Sequence, residues 1–341
     1  MPVYLNAIAT AVPGRSCQRE FLENLEKFST CLEDRRRLAA MAARSGVVRR
    51  HSVLPRLFGP RGFYGAPGSP GTAARMEVYR REAGRLARKA CAPLVAQARP
   101  THLLVTSCTG FYTPGIDVDL VRGLGLDPAI SRFTLGYMGC HAAVSGLSLA
   151  SSIVRADRRA RVLMVNLELC SLHLPPPEAP LAELVPALLF SDGCAAGMIS
   201  RESRGLRIGG FAFHALPEKA EFLRWKICDH GFRMRVSAEL PQRLASALQD
   251  WRGHFIPRRG LKLYAIHPGG PRILDEVAEA LALTPAELAP SRAVLRANGN
   301  MSSASLLFIL RRVLESKKRG PGLALAFGPG LTLAGMRFVK P

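Results

Sequence analysis

The apolar positions of this chain fall into short runs that are separated by stretches with a helical period. Val3 to Ala11 is the first such run, and it stops at Pro13-Gly14, which predicts a strand followed by a turn. Later runs of the same kind predict buried strands at 102–106, 161–167, 195–199, 262–266 and 323–327.

The stretches between these runs carry apolar residues three and four positions apart, which predicts helices. The predicted helices cover 19–44, 76–90, 270–283 and 302–313. A segment rich in Pro and Gly at 55–72 predicts a loop. Strands that alternate with helices indicate an α/β fold with largely buried sheets.

The length and composition suit one large domain or two fused half-domains. The chain has 341 residues, of which 48% are hydrophobic and only 7% are aromatic, so its core is expected to be mainly aliphatic. The rhythm of the pattern changes near 200–210, which predicts a division into halves at 1–200 and 201–341, although no close sequence repeat is visible.

The N-terminus and the cysteines indicate a cytoplasmic protein. The first residues lack the basic segment and cleavage site of a secretory signal. The longest weakly polar stretch, Gly322 to Gly335, is too short and too rich in Gly and Pro to span a bilayer, so no membrane partner is expected. The eight cysteines form no CxxC pair, which argues against a zinc site and suits free thiols in a reducing compartment.

The net charge of +21, from 47 basic and 26 acidic residues, raises the question of an anionic partner. A nucleic-acid-binding protein is one hypothesis, but the chain has no zinc finger, no basic repeat and no basic run interleaved with aromatic residues. Small anionic substrates such as coenzyme A thioesters fit the charge equally well. A third interpretation is that the scattered arginines simply occupy solvated faces.

The segment around Cys140 carries the first candidate for chemistry. A strand-like run leads to Gly139-Cys140, and a helix of small and apolar residues follows, so Cys140 is predicted to lie at the start of a helix. The unpaired amides and the dipole at that position favour a thiolate. The alternative is a buried cysteine that acts as a small hydrophobe.

Two further segments carry polar residues at predicted element ends. His267 ends an apolar strand and is followed by a rigid Pro-Gly-Gly turn, which suits either a catalytic imidazole or a hydrogen-bonded core histidine. Asn300 precedes a predicted helix, where it serves either as an N-cap or as an amide donor to an oxyanion.

Together Cys140, His267 and Asn300 form a set whose residue types match one chemistry. His267 follows the cysteine by 127 residues and Asn300 follows the histidine by 33, each on a turn marked by glycine. Cysteine is a soft nucleophile and a good thioester leaving group. Histidine and asparagine can jointly donate hydrogen bonds to a thioester carbonyl, so that a malonyl group loses carbon dioxide to give an enolate. This chemistry needs no metal.

At this point the sequence resembles the type III polyketide synthases, the group similar to chalcone synthase that has a thiolase fold. The resemblance rests on motifs spread over nearly the whole chain: Thr106-Ser-Cys-Thr-Gly-Phe, Pro114-Gly-Ile-Asp, the Cys140 segment, Glu168-Leu-Cys-Ser-Leu-His, Leu189-Phe-Ser-Asp-Gly, His267-Pro-Gly-Gly, Gly299-Asn-Met-Ser-Ser and Ala326-Phe-Gly-Pro-Gly-Leu. The last of these motifs distinguishes the family from other condensing enzymes of the same fold.

The resemblance implies a five-layer αβαβα fold with two related halves, a homodimer, and a buried cavity reached by a coenzyme A tunnel. It implies an acyltransferase that loads an acyl-CoA starter on Cys140 and extends it iteratively with malonyl-CoA to a pyrone, resorcinol or related aromatic product. His267 and Asn300 are implied as the activating and oxyanion residues. No cofactor beyond the coenzyme A thioesters is implied. A single-step synthase similar to ketoacyl synthase III is the alternative on the same scaffold.

The resemblance also implies a set of substrate contacts. Phe190 and Met234 match the two gatekeeper positions between tunnel and cavity, although Phe190 also suits simple core packing. The remaining implied contacts are Cys108, Thr109 and Ser302 in the cavity, the loop Gly328-Pro329-Gly330, and Arg37 and Arg44 toward the coenzyme A phosphates. For the two arginines a solvated helix face is an equally good interpretation.

Several positions depart from the plant members of the family. Thr113 stands where a plant methionine reaches across the dimer, and His141 follows the nucleophile where plant enzymes carry phenylalanine. Ser191 replaces the first glycine of a Gly-Asp-Gly motif. These differences indicate a member of the bacterial type.

Overall fold

The computed structural model describes residues 1–29, 31–65, 69–176, 178–257 and 260–341. In these parts the strands are β1 Val3–Ala11, β2 His102–Ser107, β3 Ser131–Gly136, β4 Val162–Leu169, β5 Asp192–Ser200, β6 Leu206–His214, β7 Leu223–Cys228, β8 Gly231–Val236, β9 Leu263–Ile266, β10 Gly320–Gly328 and β11 Thr332–Lys340. The helices are α1 Gln18–Leu22, α2 Leu32–Arg44, α3 Thr72–Gln97, α4 Ile116–Leu124, α5 Ala142–Ala156, α6 Leu181–Leu184, α7 Leu240–Arg252, α8 Pro271–Leu281, α9 Pro285–Asn298 and α10 Ala304–Glu315.

Nine of these strands form one sheet, in the order β3-β2-β4-β5-β1-β6-β11-β10-β9. On one side of the β1–β6 junction, β2 runs parallel to β4, which pairs antiparallel with β5, which in turn pairs antiparallel with β1. On the other side β9, β10, β11 and β6 repeat these relations in the same order. The strand pattern is therefore the same in both halves, although their sequences show no close repeat.

The layers follow from the period of two along the buried strands. In β4, Leu163 and Val165 pack against the core under α3, whereas Val162 and Met164 pack against the core around α5 and α10. In β10 the two alanines Ala324 and Ala326 face α5 and α10, and the larger residues of the strand face α7, α8 and α9. The result is the five-layer αβαβα arrangement of the thiolase fold, which confirms the predicted fold class.

The two central helices hold the halves together. Both α5 and α10 contact strands on either side of the β1–β6 junction. Their inward faces carry small residues, and Ala143, Ala150 and Ala304 are fully buried. The parts of the sheet on either side of the β1–β6 junction form the two β layers. Small side chains on α5 and α10 allow both layers to approach this pair of helices closely. The start of α5 and the start of α10 therefore lie in the middle of the molecule.

Each predicted strand overlaps an observed strand, with the predictions at 161–167 and 262–266 starting one residue early, and the predicted helices at 76–90 and 270–283 correspond to α3 and α8. The helical period at 19–44 is instead divided into α1, a 3-10 turn at Leu25–Phe28 and α2. Most of the predicted loop at 55–72 has no regular structure, and its residues 66–68 lie outside the described residues. Within the described chain, no helix is long and apolar enough to cross a membrane.

A separate two-stranded sheet, β7–β8, covers part of the interior near α6 and the 3-10 turns at Cys170–His173 and Val185–Leu188. The hairpin places Trp225 opposite Met234 and Ile227 opposite Phe232 on one face. The other face carries four basic residues in the cross-strand pairs Arg224–Arg235 and Lys226–Arg233. This hairpin forms no strand pairing with the nine-stranded sheet among the described residues.

Candidate active site

Cys140 lies in a single 3-10 turn, Gly139–His141, that leads directly into α5, as the sequence predicted. The turn depends on Gly139, whose φ is +65° and whose position faces Pro329. A Cβ atom at residue 139 would come within 2.3 Å of the proline Cδ, so only glycine fits without a shift of the loop. The loop that contains Pro329 therefore supports the turn Gly139–His141, which carries Cys140.

The Asn300 segment reaches Cys140 through Ser302. The backbone of Asn300 pairs with that of Phe190 in an isolated parallel bridge. The Asn300 N–H donates to the Leu189 carbonyl at 2.8 Å, and the Asn300 carbonyl accepts from the Ser191 N–H at 2.9 Å. Its Oδ1 accepts from the Ser302 N–H at 2.9 Å, which leaves Nδ2 as the donor of the amide. The Cys140 thiol in turn donates to the Ser302 hydroxyl, with an Sγ–Oγ distance of 3.5 Å.

His267 directly follows β9, and its N–H donates to the Leu325 carbonyl at 2.8 Å. The ring is buried, and neither ring nitrogen makes a hydrogen bond within the described part of the chain. His141, which follows Cys140, lies near enough to His267 to lower its pKa. The structure therefore joins Cys140 to the Asn300 segment through Ser302, and it places His267 against β10, the strand that also contacts the turn of Cys140.

Burial dominates the electrostatics of this region. It raises the pKa of the Cys140 thiol to about 12, and the hydrogen bond between Cys140 and Ser302 opposes the shift only in part. Burial, together with His141, lowers the pKa of His267 to about 3. The thiolate expected from the helix start is therefore not the resting form, because desolvation of the sulfur outweighs the helix amides. Burial therefore favours the uncharged form of both groups, the thiol of Cys140 and the imidazole of His267.

A cavity of about 70 Å³ opens beside the turn Gly139–His141, and Gly139 lines it. The residues predicted to contact substrate that line it are Cys108, Thr109, Phe190, Met234 and Ser302. The loop Gly328-Pro329-Gly330 lies behind the turn instead. Pro329 faces Gly139, and a Cβ atom at Gly328 would come within 2.0 Å of the His141 Nδ1.

A buried carboxylate, Glu168, joins the two halves beside this cavity. It accepts hydrogen bonds from the Cys108 N–H at 3.0 Å, the Thr109 hydroxyl at 2.9 Å and the Ser303 hydroxyl at 2.6 Å. Burial raises its pKa to about 7, against the opposing effect of these donors. Sequence reasoning missed this role, because Ser303 is 135 residues away and only the fold brings it to β4.

Three stacked rings form one wall of the cavity, and these were also missed. His173 stacks on Phe232 with ring centroids 4.2 Å apart, and Phe232 stacks on Trp225 at 5.2 Å. The Nδ1 of His173 accepts from the Phe232 N–H at 3.0 Å, so Nε2 carries the proton and donates to the Thr109 carbonyl at 2.7 Å. Burial lowers the pKa of His173 to about 3, so the wall is uncharged at neutral pH.

The two predicted phosphate contacts lie on α2, outside the cavity. Arg37 is exposed and forms ion pairs with Glu33 and, at 4.0 Å, with Asp34 on its own helix. Arg44 is exposed at the last turn, and no ion pair of Arg44 occurs among the described residues. The helix packs against the turn Val185–Leu188, part of which lines the cavity.

Comparison with known proteins identifies the family. Family models for the N-terminal and C-terminal domains of chalcone and stilbene synthases match residues 2–203 and 211–340. The chain is 34% identical over 285 residues to Alpha-pyrone synthesis polyketide synthase-like Pks18 of Mycobacterium tuberculosis, covering 77% of this chain and 72% of that protein.

It is also 31% identical to 1,3,6,8-tetrahydroxynaphthalene synthase of Streptomyces coelicolor, over 77% of this chain and 74% of that protein. The crystal structure of the tetrahydroxynaphthalene synthase superimposes with a TM-score of 0.88 at 26% identity and covers 100% of this chain and 99% of that one. The chain therefore belongs to the chalcone and stilbene synthase family of type III polyketide synthases, the acyltransferases that condense coenzyme A thioesters.

Proposed function

We propose that this enzyme loads an acyl group from an acyl-CoA onto Cys140 and extends it repeatedly with malonyl-CoA. The observation that carries the proposal is the hydrogen bond from the Cys140 thiol to Ser302 of the Asn300 segment, beside a cavity that Gly139 and Ser302 line, with His267 held against the neighbouring strand β10. In loading, the thiol proton passes to His267 and the sulfur bonds to the acyl carbon. The bond to the coenzyme A sulfur breaks, and coenzyme A leaves as a thiol with that proton.

Extension uses the same groups in a second role. The Asn300 Nδ2 and His267 hold the malonyl thioester oxygen by hydrogen bonds, so that loss of carbon dioxide leaves a stabilised enolate. The enolate carbon bonds to the acyl carbon, the acyl–sulfur bond breaks, and the electron pair returns to the Cys140 sulfur. The product of each cycle is a β-ketoacyl thioester that is two carbons longer and can be loaded again.

The family assignment favours neither the single-step alternative nor nucleic-acid binding. Repeated condensation is the property that distinguishes the proposal from the single-step alternative. We expect the enzyme to convert malonyl-CoA and at least one member of a panel of acyl-CoA starters into products with more than one malonyl-derived unit, because each released chain remains a thioester substrate. Mass spectrometry of the products is the measurement, with reactions lacking malonyl-CoA as the control. Products that stop uniformly after one condensation would contradict the iterative assignment.

The coenzyme A contacts lead to a second prediction. Arg44→Glu is expected to raise KM for the acyl-CoA on the order of 10-fold with little change in kcat, because a phosphate contact is made equally in the ground and transition states. Arg37→Glu should have a smaller effect, since Glu33 and Asp34 already neutralise that side chain. Steady-state kinetics of both variants test this, with Arg36→Glu on the same helix as the control for charge alone. An equal rise in KM for all three variants would show that general surface charge, and not a phosphate contact of Arg44, causes the effect.

We further propose that Phe190 and Met234 restrict the passage between tunnel and cavity. Both line the cavity, and Phe190 is fixed by the strand bridge to Asn300, which supports a gate coupled to the catalytic segment. The product is a pyrone, resorcinol or related aromatic ring. The name of the Mycobacterium tuberculosis relative, which refers to alpha-pyrone synthesis, favours the first of these.

The assembly is proposed to be a homodimer. The edge strand β3 carries Phe133, which is 44% exposed, and the adjoining turn carries Tyr137 at 60% and Met138 at 37%. Phe111 is 52% exposed beside Thr113. A sheet edge flanked by exposed apolar residues supports burial against a second subunit.

We propose a division into halves at 1–200 and 201–341, a boundary that falls in the turn between β5 and β6. The repeated strand relations and the limits of the two family models support this boundary. A cytoplasmic location is also proposed. It is supported by the eight cysteines, all of which are free thiols, as expected in a reducing compartment.

A further inference from the structure

The lining of the cavity contains an ion pair that the proposed chemistry does not use. Of the lining residues that the structure describes, only Glu183 on α6 and Arg233 on β8 carry a formal charge. The others are apolar, neutral polar, or, in the case of His173, held neutral by burial. An isolated charge pair in a largely apolar acyl cavity is unexpected, because polar groups without a function there are usually replaced by apolar ones.

The geometry of the pair leaves donors of Arg233 available. The Nε of Arg233 donates to the Glu183 Oε2 at 2.6 Å, and the two side chains are 31% and 16% exposed. A guanidinium has five N–H donors in a planar fork, and one of them is used here. In the described part of the chain neither Nη1 nor Nη2 makes a hydrogen bond, and neither is a buried atom, so both remain available to a ligand.

Stability gives a poor reason for keeping such a pair. A partly exposed ion pair adds little to the free energy of folding, and a buried one can often be replaced by apolar residues without loss. The pair does fix the guanidinium, because an arginine held at Nε presents its remaining donors in one direction. Glu183 thus restricts the orientation of Arg233, and both residues line the cavity.

The growing chain supplies a ligand of matching chemistry. After the second condensation it carries a 1,3-diketone beyond the thioester, with two carbonyl oxygens on the same side in its enolate form. In an apolar cavity these oxygens need donors, since an unpaired buried carbonyl is costly. A guanidinium fork donates two parallel hydrogen bonds to such a pair of oxygens and favours their negative charge.

We propose that Arg233, oriented by Glu183, binds the 1,3-diketone of the extended chain and so determines how many condensations precede release. This inference rests on the proposed function and adds a determinant of chain length to it. It assigns Arg233 no part in loading or in the first condensation, because no 1,3-diketone exists at those stages.

The test uses hexanoyl-CoA and malonyl-CoA as the substrates. Arg233→Met is expected to lower the ratio of longer products to triketide by about 10-fold, the effect of losing a hydrogen bond to a charged group. Acyl-enzyme on Cys140, measured by intact-protein mass, should form as in the parent. The matched control is Arg235→Met, on the same face two residues along the strand but exposed and outside the cavity lining, which should leave the product ratio unchanged.

Two further variants separate the proposal from a structural role. Arg233→Lys keeps the charge without the fork and should shift the ratio part of the way, and it carries the test if the methionine variant does not fold. Glu183→Gln should shift it in the same direction by less. A product ratio equal to that of the parent in both Arg233 variants, with normal acyl-enzyme, overturns the inference but leaves the proposed function intact. Absence of acyl-enzyme in the parent with every acyl-CoA of the starter panel would instead contradict the proposed function.

Discussion

Cys140→Ala is expected to abolish acyl loading and chain extension, while malonyl-CoA still loses carbon dioxide. Extension should fall on the order of 10⁴-fold or more, because removal of a covalent nucleophile eliminates the acyl-enzyme route. Decarboxylation persists because Asn300 and His267, which hold the thioester oxygen in the proposed mechanism, remain in place. The measurements are labelled carbon dioxide release and the intact mass of the acyl-enzyme.

Cys31→Ala is the matched control, since Cys31 is an exposed thiol at the start of α2. It should load and extend at the parent rate. Cys108 is the thiol to examine if Cys140→Ala still extends chains, because its sulfur accepts from the Gly139 N–H at 3.0 Å and lines the same cavity. Extension in the alanine variant would show that Cys140 is not the nucleophile.

The second large effect is expected at Asn300. Asn300→Ala should slow malonyl-CoA decarboxylation by about 10²–10³-fold, the usual cost of one oxyanion donor. Acyl loading should change much less, because the Cys140 thiol and His267 are untouched. The backbone of residue 300 is held by Leu189 and Ser191, so truncation of the side chain should leave the segment in position.

Asn300→Asp distinguishes the donor from the turn. An aspartate retains the oxygen that accepts from the Ser302 N–H but has no Nδ2 donor. If Asn300 donates to the oxyanion, the aspartate variant should decarboxylate as slowly as the alanine variant. A rate close to that of the parent in the aspartate variant would limit Asn300 to a structural role in the turn.

Local pattern was sufficient for the elements whose environment is uniform. The strands β1 and β4 and the helix after Cys140 were predictable, because a continuous apolar run or a regular helical period records burial directly. The segment at 19–44 was not, since its charged and apolar residues fit a helix throughout while the observed chain turns at Leu25–Phe28. The hairpin β7–β8 was also not predicted, although its apolar and basic residues alternate with the period of two that a strand with one covered face shows.

The residues of the candidate site also fall into those that the sequence could predict and those that it could not. Cys140, His267 and Asn300 could be proposed because each lies next to a glycine-marked turn at an element end. The partners that set their properties could not. Glu168 meets residues 60 and 135 positions away, and the Arg233–Glu183 pair spans 50. Whether a thiol is desolvated is likewise a property of the assembled fold, which is why the resting form of Cys140 was not predicted.

The hairpin β7–β8 supplies Trp225, Phe232, Arg233 and Met234 to the cavity without belonging to the nine-stranded sheet that positions the nucleophile turn, His267 and Asn300. Substitutions in it can therefore reshape the cavity while the strands under the reacting groups keep their register. The scaffold thus separates two properties under selection. The residues proposed to carry out condensation are constrained by the central layers. The residues of the β7–β8 hairpin that line the cavity can change independently and so alter the range of products.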